Sequence, residues 1–226
     1  MADKKEKKPK KENPLGLAIF VIIMLIIAAG LLFIFREPSD GSETGSADSN
    51  ITRAKSYFTY PTDYQDYVLE YSNEFGIDPC YIFAVIRTES SFIEDAESEV
   101  GARGLMQIMP DAFDWIQFRL GGDDGLTFDD MYTAKYNIRY GTYMLSFLYE
   151  EFGSYELASA AYHQGMNAVQ SWIDDGTIDP AKFNINDGID DMPSAVTRDY
   201  IYKVMRSYDK YKENTQLKED IQKWKN

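Results

Sequence analysis

Residues 89–110 read ESSFIEDAESEVGARGLMQIMP, and they follow an apolar run, CYIFAVIRTE, at 80–89. Asp78-Pro79, just upstream, is a helix start: Asp caps the end, and Pro fits the first helical position, where its missing N–H is not needed. On the helix that follows, Ile82, Ile86 and Glu89 fall at i, i+4 and i+7, with Val85 beside them. Glu89 thus continues an apolar stripe toward the core. A carboxyl in such a place loses hydration, which favours its protonated form. A protonated carboxyl near neutral pH suits proton donation to a glycosidic oxygen. Periodicity leaves a second arrangement open, in which Glu89 is buried as an ion pair with Arg87 or Arg103.

Outward from this stretch the chain reads as helices. Residues 62–75 place Tyr64, Tyr67, Val68, Tyr71 and Phe75 at helical spacing before Gly76. Pro110 opens a helix to Arg119. A longer one is expected over 131–151, ended by Gly153, and two short ones over 155–163 and 167–173, split by Gly165. A last helix over 195–212 lines up Val196, Tyr200, Val204, Tyr208 and Tyr211. No pair of alternating strands is evident. The expectation is a mostly α domain.

The 89–110 stretch also carries a pattern: Glu89-Ser90, Phe92, Ala96, Ser98, then Gly101, Ala102, Gly104, Leu105, Met106, Gln107, Met109 and Pro110. Here the chain resembles the lytic transglycosylases of the soluble, goose-lysozyme-like superfamily. Gly76-Ile77-Asp78-Pro79, Ala84-Val85-Ile86, Asn137-Ile138 with Gly141, and Ala161-Tyr162 extend the likeness over roughly residues 60–210. The resemblance implies a lysozyme-like fold with a long groove for peptidoglycan glycan strands. It implies Glu89 as the catalyst, with Ser98, Gln107, Met109 and Tyr162 lining the groove. Two positions depart from the family pattern. His163 stands where the family usually has Asn, and it is expected to make a groove hydrogen bond. Val196 stands where a Glu is common.

The resemblance also implies single-acid chemistry. Glu89 protonates the bond between N-acetylmuramic acid and N-acetylglucosamine, then serves as base while the 6-hydroxyl closes a 1,6-anhydro ring. No cofactor or metal is expected. Most glycosidases use two carboxyls, and Glu94, Asp95, Glu97 and Glu99 read as solvent-facing loop residues. The alternatives are a hydrolytic muramidase on the same fold and a non-enzymatic wall-binding module of an envelope or secretion machine.

The rest of the chain bounds these readings. One histidine and one cysteine, Cys80, exclude an intrachain disulfide and argue against a His-based metal site. The Asp-rich stretches 121–130 and 184–191 lack calcium-loop spacing. Residues 15–35, LGLAIFVIIMLIIAAGLLFIF, hold no charge over 21 positions. At 1.5 Å per residue that helix spans about 30 Å, a bilayer core. Six lysines precede it in the basic tail 1–14. The positive-inside rule then expects a single-pass anchor with a cytoplasmic N-terminus and an extracytoplasmic body. Residues 36–56 are polar and read as a tether, 57–212 as the folded domain, and 213–226 as a charged tail. With −14 on the whole chain and +3 on residues 1–35, the remainder carries −17, which does not invite nucleic acid.

Overall fold

A helix that is apolar on every side has to be buried on every side, and the fold is arranged around one. The computed structural model describes residues 60–122 and 125–225. The segments expected as a basic tail (1–14), an anchor (15–35) and a tether (36–56) lie outside the described residues. No helix among the described residues is long and apolar enough to cross a membrane.

The first helix, α1, spans Gln65–Phe75 and stops at Gly76, whose φ of 72° is left-handed and whose N–H returns to Ser72 O. Helix α2 spans Pro79–Glu89, with the Asp78 side chain accepting from Cys80 N–H and Pro79 in the first turn. Tyr81 through Ile86 have no exposed surface. The apolar stripe expected along 82–89 is therefore part of a helix enclosed all round. Helix α3, Pro110–Arg119, begins where Pro110 predicts.

The long helix expected from residue 131 starts later. Phe128–Tyr132 forms a 3-10 turn, fixed by a reciprocal capping box between Thr127 and Asp130. Helix α4 then runs Ala134–Phe152 to Gly153. Glu94 accepts from Ala134 N–H at 2.8 Å and from the Tyr64 hydroxyl at 3.3 Å. It is thus not the solvent-facing loop carboxylate the sequence suggests, but an anion at the positive end of α4. Helices α5, Tyr155–Gln164, and α6, Met166–Asp174, flank Gly165. Helix α7 spans Ala195–Glu213 with Ser194 capping Thr197 N–H. The charged tail contains a further helix, α8, Thr215–Trp224, capped by Asn214, and its Leu217 is buried in the core.

Two apolar clusters hold the domain. One surrounds α2 with side chains from α1, α3, α4, α7 and α8. The other joins the end of α4 to α5, α6, α7 and the 178–192 segment. Residues 97–108 form a hairpin-like loop through isolated antiparallel bridges, Glu97 with Arg103 and Arg103 with Ile108. That loop carries the pattern residues past the C-terminal end of α2.

Candidate active site

Glu89 is the last residue of α2, and its surroundings follow from that position. The buried helix delivers its carboxyl to the edge of the core, with Ser90 capping the helix behind it. Ser91 and Phe92 then take left-handed backbone angles, φ 54° and 66°. Such angles cost about 1–3 kcal/mol for a non-glycine residue. Burial of the Phe92 ring holds the turn in place.

The carboxyl is bonded to a tyrosine, not to an arginine. The Tyr200 hydroxyl donates to Glu89 Oε1 at 2.5 Å. Arg103 is engaged elsewhere: Nη1 lies 2.6 Å from Asp129, and its guanidinium rests over Phe128 and Tyr132. Arg87 lies over Tyr60 and bonds Ser207. Desolvation dominates the carboxyl's chemistry and raises its pKa from the ordinary 4.5 to about 7, with the Tyr200 hydrogen bond pulling the other way. The negative end of α2 also disfavours the charged form there. Burial and the Glu89 charge together push the phenols of Tyr162 and Tyr200 well above 10, so both remain donors at neutral pH.

Past Tyr162 runs a cleft of about 750 Å³. Gln107, Met109 and Tyr162 line it, with Trp115, Phe147 and Met166 among its apolar walls. Glu89 is not in that lining, while Tyr162 senses the Glu89 charge and also walls the cleft. The Tyr162 hydroxyl donates to Met106 O at 2.7 Å rather than to Glu89. The Met106 peptide is held from the other side too, its N–H donating to Asn137 Oδ1 at 2.7 Å. Asn137 Nδ2 donates onward to Arg103 O and Met131 O. One buried amide therefore fixes the loop that presents Gln107 and Met109.

Gln107 is partly committed to that loop. Its φ is 50°, and its Nε2 donates to Gly104 O and Ala96 O. Those bonds leave the side-chain carbonyl as its remaining polar group. Ser98 Oγ accepts from Ala102 N–H at 3.0 Å and closes the 98–102 turn. Met109 is 40% exposed at the mouth of the cleft. His163 hydrogen-bonds Thr197 Oγ1 through Nδ1 and lies over the Tyr200 ring, 4.6 Å between centroids. Tyr200 is the site residue the sequence argument passed over. The signal was available: it sits on the apolar stripe of the last helix, three residues after Thr197.

The family model for the transglycosylase SLT domain matches residues 66–182. The chain belongs to that family. Its SLT domain is 33% identical over 159 residues to the soluble lytic murein transglycosylase of Escherichia coli, covering 67% of this chain and 23% of that protein. It is 28% identical over 149 residues to membrane-bound lytic murein transglycosylase E of Buchnera aphidicola, covering 66% of this chain and 65% of that one. Among solved structures, the SLT domain is similar to an inactive Glu-to-Gln mutant of lytic transglycosylase Slt from Pseudomonas aeruginosa, with TM-score 0.63, 29% identity, and 70% of this chain and 25% of that chain covered. It is also similar to a 70-kDa soluble lytic transglycosylase in complex with bulgecin A, with TM-score 0.61, 29% identity, and 68% and 24% of the two chains covered. The chain thus spans about a quarter of the soluble relatives' length.

Proposed function

We propose that this chain is a peptidoglycan lytic transglycosylase that cuts glycan strands between N-acetylmuramic acid and N-acetylglucosamine, with Glu89 as its single acid and base. One observation carries the reading: a desolvated carboxyl with a pKa near 7, held by Tyr200, with a groove past Tyr162. A group poised near the working pH can both give and retrieve a proton. Protonated Glu89 donates to the leaving glycosidic oxygen. The substrate's own acetamido oxygen stabilises the anomeric carbon. Glu89, now ionised and still bonded to Tyr200, takes the proton of the muramic 6-hydroxyl, which closes the 1,6-anhydro ring. Of the carboxylates nearest in sequence, Glu94 caps α4, Glu97 accepts from Tyr132 and pairs with Arg103, and Asp95 and Glu99 are exposed. That favours one acid over the paired carboxyls of a hydrolytic muramidase.

Gln107, Met109, Tyr162 and His163 are proposed to line the strand's path, with Ser98 shaping the adjoining turn. The membrane-bound relatives and the uncharged span 15–35 support a single-pass anchor that holds the domain outside the membrane.

Glu89→Gln keeps the shape and removes the proton transfer. Its activity on purified wall should fall by at least about 10²-fold. Its stability should depend on pH in a defined direction. Because the folded pKa of Glu89 is raised from 4.5 to about 7, wild type loses stability as pH rises through that window. The variant's Tm should exceed that of wild type above pH 7, and the gap should close toward pH 4.5. A folded variant that cuts at the wild-type rate would remove Glu89 from the mechanism.

A further inference from the structure

The end of α7 and helix α8 wall a second cleft, of about 640 Å³, which shares no lining residue with the one past Tyr162. Lys212, Lys218 and Lys225 line it, together with Ile221, Trp224 and Asp78. Asp78 is committed to the fold: one carboxyl oxygen accepts from Cys80 N–H at 2.8 Å and the other from the Tyr208 hydroxyl at 2.9 Å. Lys212 reaches Asp209 at 3.3 Å and lies over the Tyr208 ring. The side chains of Lys218 and Lys225 have no ion-pair or hydrogen-bond partner among the described residues. Lys218 sits near the start of α8, the end where a helix dipole favours anions over cations. Leu217 and Ile221 pack α8 on the core, while the Trp224 indole at the helix end is 48% exposed. Residues 210–225 carry five Lys against Glu213, Glu219 and Asp220, a net of +2. With −17 on residues 36–226, everything else there sums to −19. The cleft is a basic site on an acidic domain.

We propose that this cleft is a membrane contact: its lysines take the phosphate of an anionic phospholipid headgroup, Trp224 sits at headgroup depth, and the SLT domain docks on the outer face of the bilayer. The inference rests on the single-pass anchor proposed above. Under that reading the domain meets two polyanions, the wall and the bilayer, and two observations favour the bilayer. The first is the pairing of residue types. An ammonium meets a phosphate as a compact point charge, and an indole, apolar in its body with a polar N–H, suits a membrane interface. The second is where the chain enters the domain. Tyr60 packs edge-on against Tyr211 with 5.5 Å between centroids, and the Tyr211 hydroxyl donates to Pro61 O at 2.9 Å. Lys212, the next residue, walls the cleft. Only residues 36–59 separate this entry from the expected span, so the entry is never more than about 85 Å from the bilayer. The acidic remainder is repelled by an anionic surface, which turns the lysines toward it.

The test reconstitutes the full-length chain in vesicles of phosphatidylcholine alone or mixed with phosphatidylglycerol, each carrying a lipid brominated near the headgroup. Tryptophan quenching is read against a Trp224→Phe variant, which separates the Trp224 signal from those of Trp115 and Trp172. Trp224 should be quenched in the phosphatidylglycerol vesicles, less so in phosphatidylcholine, and released by high salt. Lys218→Gln combined with Lys225→Gln should lower the docked-to-free ratio roughly 25-fold, about fivefold for each lysine, with helical circular dichroism unchanged. Quenching that is equal in the two lipids, or that survives in the double variant, overturns the inference while the anchor stands. Shielding of Trp224 by soluble glycan strands and not by phosphatidylglycerol also overturns it and gives the cleft to the wall. A chain that floats with neither vesicle has no anchor, and the reading on which the inference rests falls.

Discussion

Desolvation raises the Glu89 pKa, and Tyr200 opposes that rise. Its hydroxyl donates to the carboxyl and, among the described residues, is the contact that opposes desolvation. A hydrogen bond to a charged group is worth about 1.5–3 kcal/mol, which corresponds to about one to two pH units. Tyr200→Phe should therefore raise the Glu89 pKa further, and the alkaline limb of kcat should move to higher pH. A limb that stays in place or moves to lower pH would show that the tyrosine does not tune the carboxyl. His163 is a different case. It is bonded to Thr197 and packs against the Tyr200 ring, and the hydrogen bond to the Glu89 carboxyl comes from Tyr200 instead. The sequence made Glu89 legible because its position on α2 and the 89–110 pattern converge on it. It did not make hydrogen-bond direction legible. Tyr162 sits in the right pattern, yet its hydroxyl goes to Met106 O, and Tyr200 takes the carboxyl instead. That choice depends on how α5 and α7 cross, which spacing within either helix does not encode.

At the scale of elements, the decisive piece is the 97–108 loop and what clamps it. Gly104 has φ 76°, and a Cβ there would overlap the Met131 carbonyl and the Asn137 side chain. A Cβ at Gly141 would overlap the Met106 side chain, 2.4 Å from its sulfur. The loop and α4 thus meet at two glycines, with Asn137 bonding across the gap. Gly104→Ala should cost roughly 2–5 kcal/mol, combining overpacking with a left-handed backbone, and chemical denaturation would read it. A loss under 1 kcal/mol would mean the loop is not clamped as described. Helix starts at Pro79, Pro110 and Ala195 and stops at Gly76 and Gly153 could be read from local caps. The start of α4 could not. Its first turn is displaced to residue 134 by the Thr127–Asp130 box, and its N-terminus is completed by Glu94, forty residues earlier.

At the scale of the whole molecule, the chain divides into an uncharged span near its start and an acidic helical domain. The fold class followed from helical periodicity together with a resemblance that covers most of that domain. Topology is a separate prediction, carried by six lysines before the span. Protease added to cells with an accessible wall should release the domain by cutting within 36–56, and full protection would reverse the orientation. The central claim is narrower: one carboxyl, no water, an intramolecular ring closure. Mass spectrometry of the glycan ends left on purified wall by the wild-type chain tests it most directly. The account predicts 1,6-anhydro-muramic ends, lighter by one water than hydrolysed ends, and their absence with Glu89→Gln. Reducing ends alone from an active wild type would contradict it.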